Sequence, residues 1–207
     1  MVSVAIFDYG AGNIFSLKTS LEKNGATVDV ISSFDQTKDY VGVLLPGVGN
    51  FDPAIRSIRD YTAIQFKDFV QDKIPVLGIC LGMQLFFKSS EESKIDGLGW
   101  IDGSIKKFNF RDKDKLYRVP HMGWNNLEIK QQSNFLDGVK DGSWVYFVHS
   151  YRIKPKNSGF IVAETDYGIK VPAVIEQKNF IGTQFHPEKS GEVGSLMLRN
   201  FLSECKK

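Results

Sequence analysis

Apolar runs alternate with helix-period stretches through the first half of the chain. Val2–Phe7 is apolar except for Ser3, the pattern of a strand buried on both faces. Ile14, Leu17 and Leu21 then recur at intervals of three and four, which predicts an amphipathic helix. Asn24-Gly25 ends it, since glycine is preferred just past a helix C-terminus. Thr27–Ile31 and Gly42–Leu45 read as the second and third strands, and Asp52-Pro53 opens a helix in the N-cap and N1 pattern. A later helix carrying Phe66, Phe69 and Val70 leads into a strand over Ile74–Ile79. Strands and helices in this order imply a parallel sheet covered by helices on both faces.

After residue 100 the pattern changes to short strands with few helices between them. Ile101–Phe108, Trp144–Tyr151, Ile161–Glu164, Ala173–Gln177 and Phe180–Phe185 all read as strands. The segment from Val174 to Gly182 reads as a hairpin, and Val193, Leu196, Met197 and Phe201 mark one face of a closing helix. Lys106–Arg118 is polar and predicts an exposed loop or ribbon tip. The fold class is therefore α/β: a mostly parallel central sheet with flanking helices, plus a smaller antiparallel sheet. Repeats, low-complexity tracts and a linker are absent from the sequence, so residues 1–207 are expected to form a single domain.

Composition narrows the function classes. Apolar residues make up 42% and charged residues 24% of 207, ordinary values for a globular protein. A net charge of +2 gives no general attraction to nucleic acid or to membranes. The N-terminus lacks the charge and length of a secretory leader, no apolar run approaches membrane length, and two cysteines imply no disulfide framework. A cytoplasmic location, which keeps thiols reduced, is expected.

The candidate chemistry begins at Cys80, in Gly78-Ile79-Cys80-Leu81-Gly82-Met83-Gln84. A strand delivers the cysteine, glycines on either side let the chain turn, and a helix begins at once. Its first N–H groups point at the sulfur and favour thiolate, in the strand–turn–helix form of a nucleophile elbow. The glycines also remove packing neighbours, which predicts an accessible thiol. His186 and Glu188 stand two apart in a strand-like segment, so their side chains share a side. Cys80, His186 and Glu188 then supply nucleophile, general base and orienter. Gly47-Val48-Gly49 follows a strand and precedes a helix; it reads either as an oxyanion hole built from backbone N–H groups or as a plain glycine turn.

The remaining candidates are more ambiguous. His149 alternates with Phe147 and Val145, which suits a core histidine as well as a site residue. His121 falls in a loop whose apolar tip includes Met122 and Trp124, residue types that suit a protein interface or a plug on this chain's own core. Tyr9-Gly10-Ala11-Gly12-Asn13-Ile14-Phe15 begins like a dinucleotide fingerprint, but Phe15 stands where the third glycine belongs. The histidines lack metal-ligand spacing, so no metal is expected. Cys205, near the end of an amphipathic helix, reads as structural.

Taken in order, these motifs resemble the class I, triad-type glutamine amidotransferases over essentially the whole chain. Gly78–Gln84 and His186-Pro187-Glu188 carry the superfamily likeness. Asp8–Asn13, Pro46–Gly49, Pro120–Asn125, Tyr146–Tyr151 and Gln184–Ser190 are similar to its histidine-biosynthetic branch; Arg118, where a lysine is common, is a small departure. The resemblance implies a flavodoxin-like fold and hydrolysis of glutamine to glutamate and ammonia by Cys80, His186 and Glu188, without a cofactor. It implies an oxyanion site at Gly47, Val48 and Leu81, and a glutamine pocket lined by Gln84, Glu92, His149, Ser150 and Tyr151. It further implies a heterodimer with a separate (β/α)8-barrel cyclase subunit, contacted through Asn13, Trp124, Asn125 and Tyr146. That subunit would use the ammonia to make imidazole glycerol phosphate and an aminoimidazole carboxamide ribotide. Three other readings fit the same residues: a paralogue feeding another synthase, such as an amidino-sugar pathway; a stand-alone γ-glutamyl hydrolase; and a non-catalytic protein whose Cys80 senses oxidants.

Overall fold

Alternation along the first strand sets the layers of the molecule. In β1 (Val2–Phe7), Val4 and Ile6 join one buried cluster while Ala5 and Phe7 join a second, so the strand is covered on both faces. The structure, a computed structural model, describes residues 1–10, 12–33, 39–59, 74–110 and 117–207. The helix expected around Phe66, Phe69 and Val70 lies outside these residues.

Beside β1 lie β2 (Ala26–Ile31) and β3 (Gly42–Leu45), both parallel to it. Next come β4 (Val76–Ile79) and, parallel to β4, a strand from late in the chain that corresponds to the predicted Phe180 segment. Between β3 and β4 the chain is helical over 51–59 (α2), beginning just before the predicted Asp52-Pro53 start. The first helix, α1 (Ile14–Lys23), is capped by Asn13, whose side chain accepts the Ser16 N–H at 3.3 Å. Gly25, at φ +86°, closes it as the Asn-Gly pair predicts. Leu17 and Leu21 of α1 pack with Met197, Leu198 and Phe201 in one cluster; Phe51, Ile55 and Ile58 of α2 pack with Phe86 and Phe87 in the other.

The chain then runs from β4 through a one-turn helix α3 (Leu81–Gln84) into β5 (Phe87–Ser90) and β6 (Ile101–Lys107). Further along come β7 (His121–Asn126), β8 (Glu128–Ile129), β9 (Trp144–His149), β10 (Tyr151–Pro155), β11 (Ile161–Asp166), β12 (Lys170–Gln177) and β13 (Phe180–Thr183), and then helix α4 (Gly191–Glu204). The main sheet has the order β2-β1-β3-β4-β13-β12-β11-β8: parallel as far as β13 and antiparallel beyond it. The β12–β13 hairpin is the predicted one.

Most of the late strands extend the main sheet, because β13 pairs directly with β4. The smaller sheets are the mixed β10-β6-β5 and the antiparallel ribbon β7-β9. The segment from His121 is a strand of that ribbon, not a loop; its glycine and asparagines carry little strand propensity, but alternate residues bury against β9 and the core. Trp144–Tyr151 is two strands, since the chain leaves the β7 ribbon at Ser150 and enters the β6 sheet. Of the expected 106–118 loop, Lys106 and Lys107 end β6, and 111–116 lie outside the described residues.

Candidate active site

The end of β4 is built by close backbone approach. A Cβ on Gly82 would fall 2.1 Å from the Leu45 carbonyl oxygen, and one on Gly78 would fall 2.7 Å from the Met83 nitrogen. Only glycine permits this packing, and its effect is to bury Cys80, which is 6% exposed, instead of opening space around it. Cys80 sits at φ 49°, ψ −103°, a strained backbone for a residue with a side chain. Its N–H donates to the Thr183 carbonyl at 2.6 Å, and the Cys80 carbonyl accepts the Gln84 N–H at 3.1 Å. The elbow is thus clamped from β13 and from the following turn. α3 is a single turn, so it offers local N–H groups and little of the macrodipole a long helix would supply.

Behind Cys80, His186 is fully buried and its Nδ1 lies 2.8 Å from Glu188 Oε1. The expected strand geometry is not what brings them together. β13 ends at Thr183, His186 is extended, and Pro187–Lys189 is a 3-10 turn that folds Glu188 back onto the ring. Proline at the start of that turn costs no hydrogen bond and pre-sets its φ. Ser190 Oγ fixes the turn: it donates to the His186 carbonyl at 2.7 Å and accepts the Tyr146 N–H at 3.0 Å. A Cβ on Gly194 would meet the Pro187 carbonyl at 1.9 Å, so α4 packs hard against the same turn.

The electrostatics follow from this burial. Desolvation pulls the basicity of His186 down, but Cys80 and Glu188 more than offset it and hold the imidazole pKa up at about 10. The carboxylate accepts the hydrogen bond of Nδ1–H, leaving Nε2 buried with no hydrogen-bond partner among the described residues. A strongly basic, unpartnered nitrogen close to a thiol is placed to take its proton.

A cleft of about 300 Å³ opens at Cys80 and is lined by Gly47, Val48, Leu81, Gln84, Glu92, His149, Ser150 and Tyr151, with Gly49, Asn50, Pro120 and Val148. All the sequence-predicted oxyanion and glutamine-pocket residues therefore meet at one cavity. Gly47 lies against the elbow: a Cβ there would be 1.8 Å from the Ile79 carbonyl and 2.9 Å from Cys80 Cβ. The Val48 carbonyl accepts the Gly12 N–H at 2.6 Å, which ties the 46–49 loop to the β1–α1 loop. Glu92 accepts from the Phe51 N–H at 3.4 Å; partial burial raises its pKa, only partly offset by that bond.

His149 forms one wall of the cleft, and its partners fix its tautomer. Its Nδ1–H donates to the Tyr151 carbonyl at 2.7 Å, so Nε2 must accept, at 2.9 Å, from His121 Nδ1–H. His121 Nε2 in turn accepts from Asn125 Nδ2 at 3.3 Å. Burial lowers the pKa of His121 to about 4 and that of His149 to about 3, so both rings are neutral.

The four expected interface residues fall differently. Trp124 and Tyr146 are directly opposed on the β7-β9 ribbon, ring centroids 6.0 Å apart. With Met122 and Trp144, each more than half exposed, they make an uncovered apolar face. Asn125 points to the other face, bonded to the Asp166 carbonyl at 2.9 Å and to His121. Asn13 is occupied as the N-cap of α1. Among residues the sequence reading did not single out, Ser190 stands out; its signal was a small hydroxyl residue between the His-Pro-Glu turn and the closing helix. Among the described residues no cluster of three or more His, Cys, Asp or Glu side chains is placed to hold a metal, and no helix is long and apolar enough to cross a membrane.

Comparison with known proteins identifies the family. The family model described as glutamine amidotransferase class-I matches residues 5–205. The imidazole glycerol phosphate synthase subunit HisH of Archaeoglobus fulgidus is 43% identical over 99% of this chain and 100% of its own length. The protein of the same name from Caldanaerobacter subterraneus subsp. tengcongensis is 44% identical over 96% of each chain. A crystal structure titled as a glutamine amidotransferase superimposes with a TM-score of 0.76 over 99% of both chains at 15% identity, a likeness of fold. The chain belongs to the class-I glutamine amidotransferase family.

Proposed function

We propose that this chain is the glutaminase subunit of an imidazole glycerol phosphate synthase, working in the cytoplasm as one 207-residue amidotransferase domain. The observation that carries the reading is Cys80 at the mouth of a cleft, backed by the buried His186–Glu188 pair at 2.8 Å. His186 Nε2 takes the thiol proton, and the sulfur attacks the side-chain carboxamide carbon of glutamine. The oxyanion that forms is received by N–H groups of the Gly47–Val48 loop and of Leu81, which border the cleft. The proton on Nε2 passes to the departing nitrogen, and ammonia leaves. Water, deprotonated by the same ring, then cleaves the glutamyl thioester to glutamate and restores the thiol. Glu188 keeps the ring in the Nδ1–H form and stabilises the imidazolium between these transfers. No step needs a cofactor.

Ammonia is useful only to an acceptor, since in water it becomes the non-nucleophilic ammonium ion. The acceptor in this reading is a separate cyclase subunit of (β/α)8-barrel form, which turns a ribotide into imidazole glycerol phosphate and an aminoimidazole carboxamide ribotide. The exposed Met122, Trp124 and Trp144 suit its docking, because aromatic residues and methionine are enriched at interfaces. Support for this branch of the family comes from the names of the 43–44% identical relatives. The test is co-production with such a cyclase and assay of glutamine-dependent synthesis. Glutamine consumption without transfer to the ribotide would reject the branch and leave a hydrolase.

A further inference from the structure

Adjacent parallel strands deliver two side chains to the same place. Thr183 of β13 pairs with Ile79 of β4, so the next residues, Gln184 and Cys80, emerge side by side. Gln184 is fully buried, and its Nε2 lies 3.6 Å from Cys80 Sγ, within reach of an N–H···S hydrogen bond. Nothing in the triad mechanism uses this amide.

Its orientation is dictated by a group that cannot turn over. The Tyr151 carbonyl is an acceptor only, and the Gln84 side chain meets it at 3.2 Å, so the amide nitrogen of Gln84 must face it. The second hydrogen of that nitrogen is directed at Gln184 Oε1, 3.3 Å away. With its oxygen so engaged, Gln184 can only present its nitrogen to the sulfur. Flipping Gln84 would set oxygen against oxygen, and flipping Gln184 would set nitrogen against nitrogen, in a buried site where an unpaired polar atom is costly. The sulfur also faces the Val148 carbonyl at 3.8 Å, an acceptor that suits the thiol and opposes the thiolate.

We propose that Gln184 is a further catalytic residue, whose side-chain N–H, aimed by the Tyr151 carbonyl through Gln84, stabilises negative charge on Cys80 sulfur. It acts when His186 removes the thiol proton and again when the thioester breaks and sulfur leaves as the anion. The donor matters in both steps and touches no part of glutamine. This rests on the reading of Cys80 as the nucleophile.

The test uses the full chain with Gln184→Met, which keeps the volume and removes the donor, and Gln184→Glu, which replaces the donor with an acceptor. In the complex with cyclase, Gln184→Met is expected to lower kcat for glutamine roughly ten- to a hundredfold, the usual weight of a hydrogen bond to a charged group, with KM within about twofold. Its pH profile for Cys80 alkylation by iodoacetamide should move to higher pH, and Gln184→Glu should alkylate more slowly still. A measurement on the unaltered sequence guards against misfolded variants. In 15N-glutamine-labelled protein the Gln184 side-chain N–H resonance should shift at the same pH step as alkylation, and stay flat in Cys80→Ala. A folded Gln184→Met with unchanged kcat and alkylation profile overturns the proposal, as does a flat resonance in the unaltered protein. A rise in KM alone would make Gln184 a pocket wall. Glutamine turnover surviving in Cys80→Ala would instead bring down the nucleophile assignment itself.

Discussion

The His186 N–H donates to the Tyr146 carbonyl at 2.9 Å, so the proposed catalytic base is hydrogen-bonded to the strand that carries the exposed aromatic face. Ser190 makes a second link, from the Tyr146 N–H to the His186 carbonyl. The triad is thus held by β9 on one side and by Glu188 on the other. A partner that loads Tyr146 and Trp124 presses on a strand bonded at two points to the catalytic turn.

Replacing Cys80 with alanine is expected to abolish glutamine hydrolysis while leaving ammonia-dependent synthesis by the paired cyclase intact. The side chain is small, so its loss removes few contacts, and the strained backbone at φ 49° remains. Assays with glutamine and with an ammonium salt in parallel check this. Glutamine-dependent turnover in the variant would sink the mechanism.

Glu188→Gln should bind glutamine normally and turn it over far more slowly. The amide offers an N–H where His186 Nδ1–H needs an acceptor, or forces the other tautomer and removes the free base at Nε2. The equivalent change in a serine triad costs about 10⁴ in kcat, and a cysteine, being the better nucleophile, should lose less. Single-turnover kinetics with thioester trapping separate this from a binding defect.

Much of this site was legible because its parts are close in sequence or carry local signals. Cys80 between its glycines, Gly47-Val48-Gly49 after a strand, and His186 near Glu188 each announce a turn with chemistry in it. The ribbon strand at His121 was not legible, because Gly123 and two asparagines have little strand propensity and its pairing partners lie 18 to 28 residues away. The break at Ser150 escaped for a related reason: Trp144–Tyr151 alternates without interruption, and only the tertiary pairing tells two sheets apart. The role of the glycines was read backwards, since sequence reveals a missing side chain but not the backbone that fills its space.

Acid should unfold the protein through two histidines. The folded-state pKa of His121 is lowered to about 4 and that of His149 to about 3, from an ordinary 6.5, first by burial. A proton on His149 Nε2 would also face the His121 N–H. The unfolded chain therefore binds more protons than the folded one below pH 6.5, and stability falls as pH drops toward those values. Each ring costs up to about 1.4 kcal/mol per pH unit in that window. Between pH 6.5 and 5 ordinary carboxylates titrate little, so the slope belongs mainly to the histidines. Urea midpoints measured across that range should decline, and His121→Gln should roughly halve the decline; a flat profile would mean that the rings are not buried neutral.

The isolated chain is expected to be nearly idle and its cyclase to switch it on. The Val48 carbonyl is held by the Gly12 N–H at 2.6 Å, which limits how the 46–49 loop can turn its own N–H groups toward an oxyanion. That anchor lies in the loop leading into α1, and α1 packs beside the Pro187–Lys189 turn. A partner seated on this side can therefore act on the oxyanion loop and on the base together. One missing oxyanion donor is typically worth about a hundred- to a thousandfold in rate, so activation of that order is expected when cyclase and ribotide are both added. By linkage, glutamine should then tighten the complex. Trp124→Ala should raise the Kd for cyclase by about thirtyfold or more if this ring is a central anchor, and leave the activity of the isolated chain unchanged. The decisive comparison is steady-state glutaminase rate alone, with cyclase, and with cyclase plus ribotide. Equal rates in all three would refute the switch, because a free-running triad needs no partner to complete its oxyanion site.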